Sequence, residues 1–121
     1  MKTLRFRFWH EEEKKMYPIT GLFVDYVLCL KRGDVVIFQK ETGKTMQFIG
    51  RTDMNGTDIY EDDIVRMNKE NGTLAQIIKV GHLFGMKDED GYWRDIPVKG
   101  QGKIEVIGNT FENPDLLQYG I

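Results

Sequence analysis

Met46-Gln47-Phe48-Ile49-Gly50-Arg51-Thr52-Asp53-Met54-Asn55-Gly56-Thr57-Asp58-Ile59-Tyr60-Glu61-Asp62-Asp63-Ile64-Val65 reads as strand, turn and strand. Met46 to Ile49 form a short apolar strand, and Gly50 marks its end. The Asn55-Gly56 pair takes positive φ readily and suits a tight turn after Asp53. Beyond the acidic Glu61-Asp62-Asp63, the run Asp63-Ile64-Val65-Arg66-Met67 is extended again. Phe48, Ile59, Tyr60, Ile64 and Val65 are its candidate core residues.

The same punctuation continues on both sides. Leu4-Arg5-Phe6-Arg7-Phe8 alternates apolar and basic, the period of a strand with one face inward and its arginines in solvent. His10 to Lys15 make a turn, Met16-Tyr17 resume an extended segment, and Pro18 limits ladder pairing. Phe23 to Leu30 and Val35 to Phe38 are rich in β-branched and aromatic residues and flank Lys31-Arg32-Gly33-Asp34, a second hairpin. Downstream, Ala75 to Val80 pairs with the Asp63 segment across Asn71-Gly72. Leu83 to Met86 and Tyr92 to Ile96 flank Asp88-Glu89-Asp90-Gly91, and Ile104 to Ile107 continues through Phe111. Asn113, Pro114 and Asp115 form a helix start, with room for a turn or two. No other segment has helical periodicity, so the class is all β or nearly so.

At 121 residues with 40% hydrophobic and 12% aromatic content, the chain builds a single core and is too apolar for disorder. Its 19 acidic and 17 basic residues interleave to a net charge of −2, and the one compact basic group, Lys2, Arg5 and Arg7, is countered by Glu11, Glu12 and Glu13. A polyanion-binding face is not expected from such a balance. Cys29 is the only cysteine, which excludes an intramolecular disulfide, and its apolar neighbours make it a buried structural thiol suited to a reducing cytoplasm. The N-terminus lacks the apolar core of a signal peptide, and no run approaches the roughly 20 apolar residues of a membrane span.

Three stretches in order resemble the YopX family of phage and prophage proteins. They are Phe6-Arg7-Phe8-Trp9 with Lys15-Met16-Tyr17, the central Met46 to Val65, and Ile104-Glu105-Val106-Ile107-Gly108-Asn109-Thr110-Phe111-Glu112-Asn113-Pro114-Asp115-Leu116-Leu117. The chain departs from the family's usual residues at Phe8 (Ala), His10 (Asp), Ile49 (Thr) and Asp62 (Gly). A family glycine at position 62 implies positive φ there. The resemblance is to a family without an assigned enzymatic activity, and it implies a setting in the cytoplasm of a phage-infected or lysogenic bacterium. Ile59-Tyr60-Glu61-Asp62-Asp63-Ile64-Val65 also looks like the acidic turn that feeds the first long strand of an SH3-like barrel. The expected organisation is one YopX-like domain: N-terminal β-hairpins over 1–46, a small SH3-like pseudobarrel over 47–112, and a short C-terminal helix and tail over 113–121.

The residues that could carry chemistry are sparse. His10 and His82 have no partners at zinc-site spacing. Asp53 to Asp58 superficially resembles a calcium loop, but its glycine comes two places early and no glutamate stands twelfth. Glu61-Asp62-Asp63 and Asp88-Glu89-Asp90 crowd carboxylates at turns, where such runs are solvated, and Gly100-Gln101-Gly102-Lys103 is too short for a phosphate loop. No catalytic, cofactor-binding or metal site and no cofactor is expected. Trp9, Tyr17, Tyr60, Tyr92 and Trp93 fill the core in one reading and form a base-stacking platform in another.

The sequence therefore points to a non-enzymatic accessory protein that binds itself and a host or phage protein. Sheet edges rich in apolar residues favour self-association, with Val36 and Phe38 as contact residues. The alternative is a single-stranded nucleic-acid-binding barrel using Arg5, Arg7, Trp93 and Arg94. A metal-dependent hydrolase on the acidic turns is the third reading.

Overall fold

The computed structural model describes residues 5–67, 73–97 and 103–117. Leu4, the Asn71-Gly72 turn, Gly100-Gln101-Gly102 and the tail beyond Leu117 lie outside them. The strands are β1 (Phe6–His10), β2 (Lys15–Leu22), β3 (Tyr26–Lys31), β4 (Asp34–Gln39), β5 (Gly43–Thr52), β6 (Asp58–Tyr60), β7 (Asp63–Met67), β8 (Thr73–Val80), β9 (Leu83–Asp88), β10 (Trp93–Arg94) and β11 (Ile104–Asn109). Single 3-10 turns stand at Lys40–Thr42 and Pro114–Leu116. The chain is nearly all β and its sheets are antiparallel. It divides into two compact units, Met1–Phe48 and Ile49–Ile121.

In the first unit the hydrogen-bonded order is β4-β3-β2-β1-β5. Its core is Phe8, Tyr17, Val27 and Cys29, with Ile19, Val36 and Phe38 packed against them. The Phe38 ring lies 5.8 Å from Phe8, 5.4 Å from Tyr17 and 4.2 Å from His10, centroid to centroid. β1 sits between two neighbours, and Phe8, Trp9 and His10 are buried in succession. The period-two pattern therefore stops at Phe8, and Arg7 is half-buried where solvent was expected. At Gly43, opposite His10, a Cβ would collide with the Trp9 carbonyl, so only glycine allows β5 its approach to β1.

Several boundaries differ from the sequence reading, β5 among them, which begins at Gly43 and not at Met46. β2 runs through the exposed Pro18 to Leu22, because the ladder to β3 shifts register between Ile19 and Gly21, the irregular setting in which strands tolerate proline. β3 begins at Tyr26, since Phe23 donates its N–H to the Tyr26 carbonyl at 3.0 Å and closes a turn instead of a ladder. The β3–β4 loop is two residues, Arg32 and Gly33, with φ of 53° and 85°. Positive φ at both positions is the signature of a type I′ turn.

The second unit holds the far half of β5, with β6 beside it, and a sheet in the order β10-β9-β8-β7-β11. Its core is aliphatic: Ile59, Val65, Ala75, Ile77, Met86 and Ile104, with Ile49, Met67, Ile96 and Val106 around them. Gly50 does not end its strand. With φ of 93° it bends β5, which continues to Thr52. Gly56 has φ of 82°, as its turn requires, and Asp62 has φ of 68°, the left-handed conformation that a glycine in the family implies there. Past β11 the expected helix is a single 3-10 turn. Asn113 makes no side-chain cap; its Oδ1 turns back to accept the Asn109 N–H at 3.2 Å.

Candidate functional site

The β3–β4 hairpin carries an exposed apolar face in the first unit. The register sets Leu30 opposite Val35, Leu28 opposite Ile37 and Tyr26 opposite Gln39 on one face, and Cys29 opposite Val36 and Val27 opposite Phe38 on the other. The second face is the core face. The first leaves Val35 57% and Ile37 66% exposed, with Leu30 and Tyr26 also exposed. Val36 and Phe38, expected as contact residues, therefore point into their own unit, and Val35 and Ile37 are the ones that face out. Both faces of the hairpin are apolar, so strand alternation in the sequence has no polar side by which to choose between them.

β4 is also the outermost strand of its sheet. A two-residue type I′ loop makes Lys31 and Asp34 the first hydrogen-bonded pair of the hairpin, and alternate pairs follow: Cys29 with Val36, then Val27 with Phe38. The same alternation brings the Lys40 N–H to the Asp25 carbonyl, at 2.9 Å. The N–H and C=O groups of Val35 and Ile37 and the N–H of Gln39 consequently point away from β3, along the open edge, where the Gln39 carbonyl accepts the Thr42 hydroxyl at 2.6 Å.

The alternative nucleic-acid set is divided between the two units, Arg5 and Arg7 in the first and Trp93 and Arg94 in the second, and its members are engaged within them. Arg5 stacks over the Phe48 ring, 4.2 Å from its centroid, and Arg7 is half-buried on β1. In the second unit the Trp93 indole lies flat on Gly85, whose backbone has no Cβ to hold it off. Its Nε1 donates to Asp95 at 3.3 Å. Arg94 donates its Nε to Asp88 at 2.7 Å. Of the aromatic platform residues, Trp9 and Tyr17 are buried in the first unit, Trp9 donating to Glu11 at 2.8 Å and Tyr17 to Glu13.

The acidic turns have become locks. Asp53 Oδ1 accepts the N–H groups of Asn55 and Thr57 at 2.8 and 2.9 Å, and its Oδ2 accepts that of Val106 at 2.8 Å. Asp63 accepts the Tyr60 N–H at 2.8 Å, and Asp62 accepts from the Gln76 amide at 3.0 Å. Asp88 accepts the N–H groups of Asp90 and Tyr92, both at 3.0 Å, besides Arg94. Those bonds, the Arg94 guanidinium first, hold its carboxyl below the ordinary aspartate value. Among the described residues, no group of three or more His, Cys, Asp or Glu side chains is placed to share a metal ion. Cys29 is fully buried, and burial pushes its thiol up to about 11, so it is protonated and inert at neutral pH. Among the described residues, no helix is long and apolar enough to cross a membrane.

Comparison with curated proteins gives no match. Among solved structures, the chain is similar to the crystal structure of protein EF1440 from Enterococcus faecalis. The TM-score is 0.65 at 22% identity, over 98% of this chain and 100% of that one, a likeness that bears on the fold alone. A family profile described as YopX protein matches residues 5–118, nearly the full length, in agreement with the resemblance of the opening, central and closing stretches. The chain belongs to the YopX family.

Proposed function

We propose that the chain is a non-enzymatic accessory protein of a phage or prophage, at work in the cytoplasm of the bacterial host. It acts by binding protein: copies of itself, and through that assembly a protein of host or phage. One observation carries this reading. The outermost strand β4 couples an open backbone edge to an apolar outer face, with Val35 and Ile37 more than half exposed. An edge of this kind, without proline, bulge or central charge, is what monomeric β proteins avoid and associating ones use. The polar residues buried in the second unit, by contrast, are consumed in holding turns, which leaves binding as the activity that the surface supports. In this reading the second unit is a small SH3-like pseudobarrel, its short and sharply turned strands wrapped around an aliphatic core as a rigid support.

Light scattering coupled to size exclusion at micromolar concentration tests the proposal. A mass of two or more copies is expected, and a monomer at all concentrations overturns it. Val36→Asp and Phe38→Asp do not serve as interface probes, because both side chains pack in the first unit's core. Val35→Asp and Ile37→Asp do.

A further inference from the structure

We infer that the occupant of the β4 edge is the β4 strand of a second copy, antiparallel about a two-fold axis through Ile37. This deepens the proposed self-association and rests on it. The backbone limits the choices first. Only Val35, Ile37 and Gln39 have N–H groups toward the edge, with the carbonyls of Val35 and Ile37 open and that of Gln39 already taken by the Thr42 hydroxyl, so in an antiparallel pair these residues must meet the same set on the other strand. The allowed registers therefore differ by two residues, and side chains must select among them.

The charges at the two ends of β4 make the selection. Asp34 begins the strand, and Lys40 follows its last residue as the first of the 3-10 turn, its N–H still bonded to the Asp25 carbonyl just ahead of β3. With Ile37 opposite the partner's Ile37, Val35 meets the partner's Gln39 and Val36 meets the partner's Phe38. Asp34 then meets the partner's Lys40, and symmetry repeats each pair. Three paired positions result, with about four backbone bonds between open groups, since the Gln39 carbonyl of each copy already accepts the Thr42 hydroxyl. Sliding two residues one way sets Asp34 against the partner's Phe38 and Arg32 against the partner's Lys40, a charge on an aromatic ring and a like-charge pair. Sliding two the other way sets Lys40 against the partner's Val36 and leaves Asp34 facing the partner's Thr42. One register alone pairs both charges with their opposites, and opposite charges across a ladder stabilise where like charges repel. That register also joins the two core faces: Val36 and Phe38, half-buried at the rim of their own sheet, continue onto their counterparts in the partner.

A charge-swap series read by analytical ultracentrifugation is the test. Asp34→Lys and Lys40→Asp are each expected to raise the dimer Kd about tenfold or more, since two-fold symmetry turns each substitution into two like-charge pairs. The double variant carrying both is expected to return to the starting Kd. Ile37→Pro is expected to abolish the dimer while the circular dichroism stays unchanged, because the Ile37 N–H faces the edge and serves no bond to β3. A starting protein that is monomeric throughout overturns the self-association reading together with this register. A protein that associates, yet ignores Ile37→Pro and both reversals, overturns the β4 pairing and leaves self-association standing. Single reversals that weaken the dimer without rescue in the double variant overturn the register.

Discussion

The two units of the chain differ in what holds them. In the first, buried polarity is almost absent. His10 is its one buried polar residue among those described, stacked on Phe38 and accepting the Glu13 N–H on its Nδ1 at 3.2 Å. Its order comes from rings, Phe8, Tyr17 and Phe38, and from backbone chemistry at Arg32-Gly33. In the second unit the core is aliphatic and the turns are tied by side chains: Asp53, Asp62, Asp63, Asp88 and Asn109 are all buried, and Asp53, Asp63, Asp88 and Asn109 each accept at least one backbone N–H in or beside their own turn. The contrast teaches where each unit has surface to spare. A unit held by rings can leave one sheet face unpartnered and apolar, whereas a unit held by carboxylates has committed its reactive groups to itself.

Removing a ring should therefore produce the largest effect. Phe8→Ala is expected to cost about 3 to 5 kcal/mol, the range for emptying a fully buried aromatic site, and Ile77→Val in the second core only about 0.5 to 1.5 kcal/mol. The two tryptophans allow separate readings, since buried Trp9 reports on the first unit and half-exposed Trp93 on the second. Denaturant melts in a Trp93→Phe background follow the first unit alone. Equal costs for the two substitutions would erase the distinction between a ring-held and an aliphatic core.

Cutting a lock comes next. Asp53→Ala is expected to destabilise by about 2 to 3 kcal/mol, because it strands the N–H groups of Asn55, Thr57 and Val106 together. Water reaches Asn55 and Thr57, which are exposed, so the larger share falls on the half-buried Val106. Asp53→Asn keeps an acceptor oxygen and should recover part of the loss, which urea melts followed by Trp93 fluorescence would measure. No difference between the alanine and asparagine variants would deny the lock.

The sequence made some of this plain and hid the rest for definite reasons. The turns at Asn55-Gly56, Arg32-Gly33 and Asp90-Gly91 were legible because positive φ is a local demand met by a local residue. The lock at Asp53 was not, since its third partner, Val106, is 53 residues away and nothing near Asp53 announces it. The seat of Trp93 on Gly85 was hidden likewise, in a glycine that reads as a strand interruption. The outward face of β4 was undecidable from alternation, because Val35 and Ile37 are as apolar as Val36 and Phe38. The C-terminal start signal at Asn113-Pro114-Asp115 was real as chemistry, but Asn113 spends its oxygen on the Asn109 N–H and caps nothing.

The pH dependence separates the units by sign. In the second unit Asp88 titrates below the ordinary aspartate value because of its bond from Arg94. A depressed folded pKa contributes stability that is present above about pH 4 and is lost as the pH falls through the folded value. In the first unit Cys29 is raised by burial from 9.0 to about 11, and Tyr17 is raised above 10.0, chiefly by its hydrogen bond to Glu13. Raised pKa values act the other way. Their stabilisation is complete below the unfolded pKa and disappears as the pH climbs through the folded one, which for Cys29 is the window from about 9 to 11. Urea midpoints in the Trp93→Phe background should thus fall from pH 9 to 11, and Cys29→Ala should flatten that fall without changing the acid limb. A slope over that window identical with and without the thiol would assign the alkaline loss to Tyr17 alone.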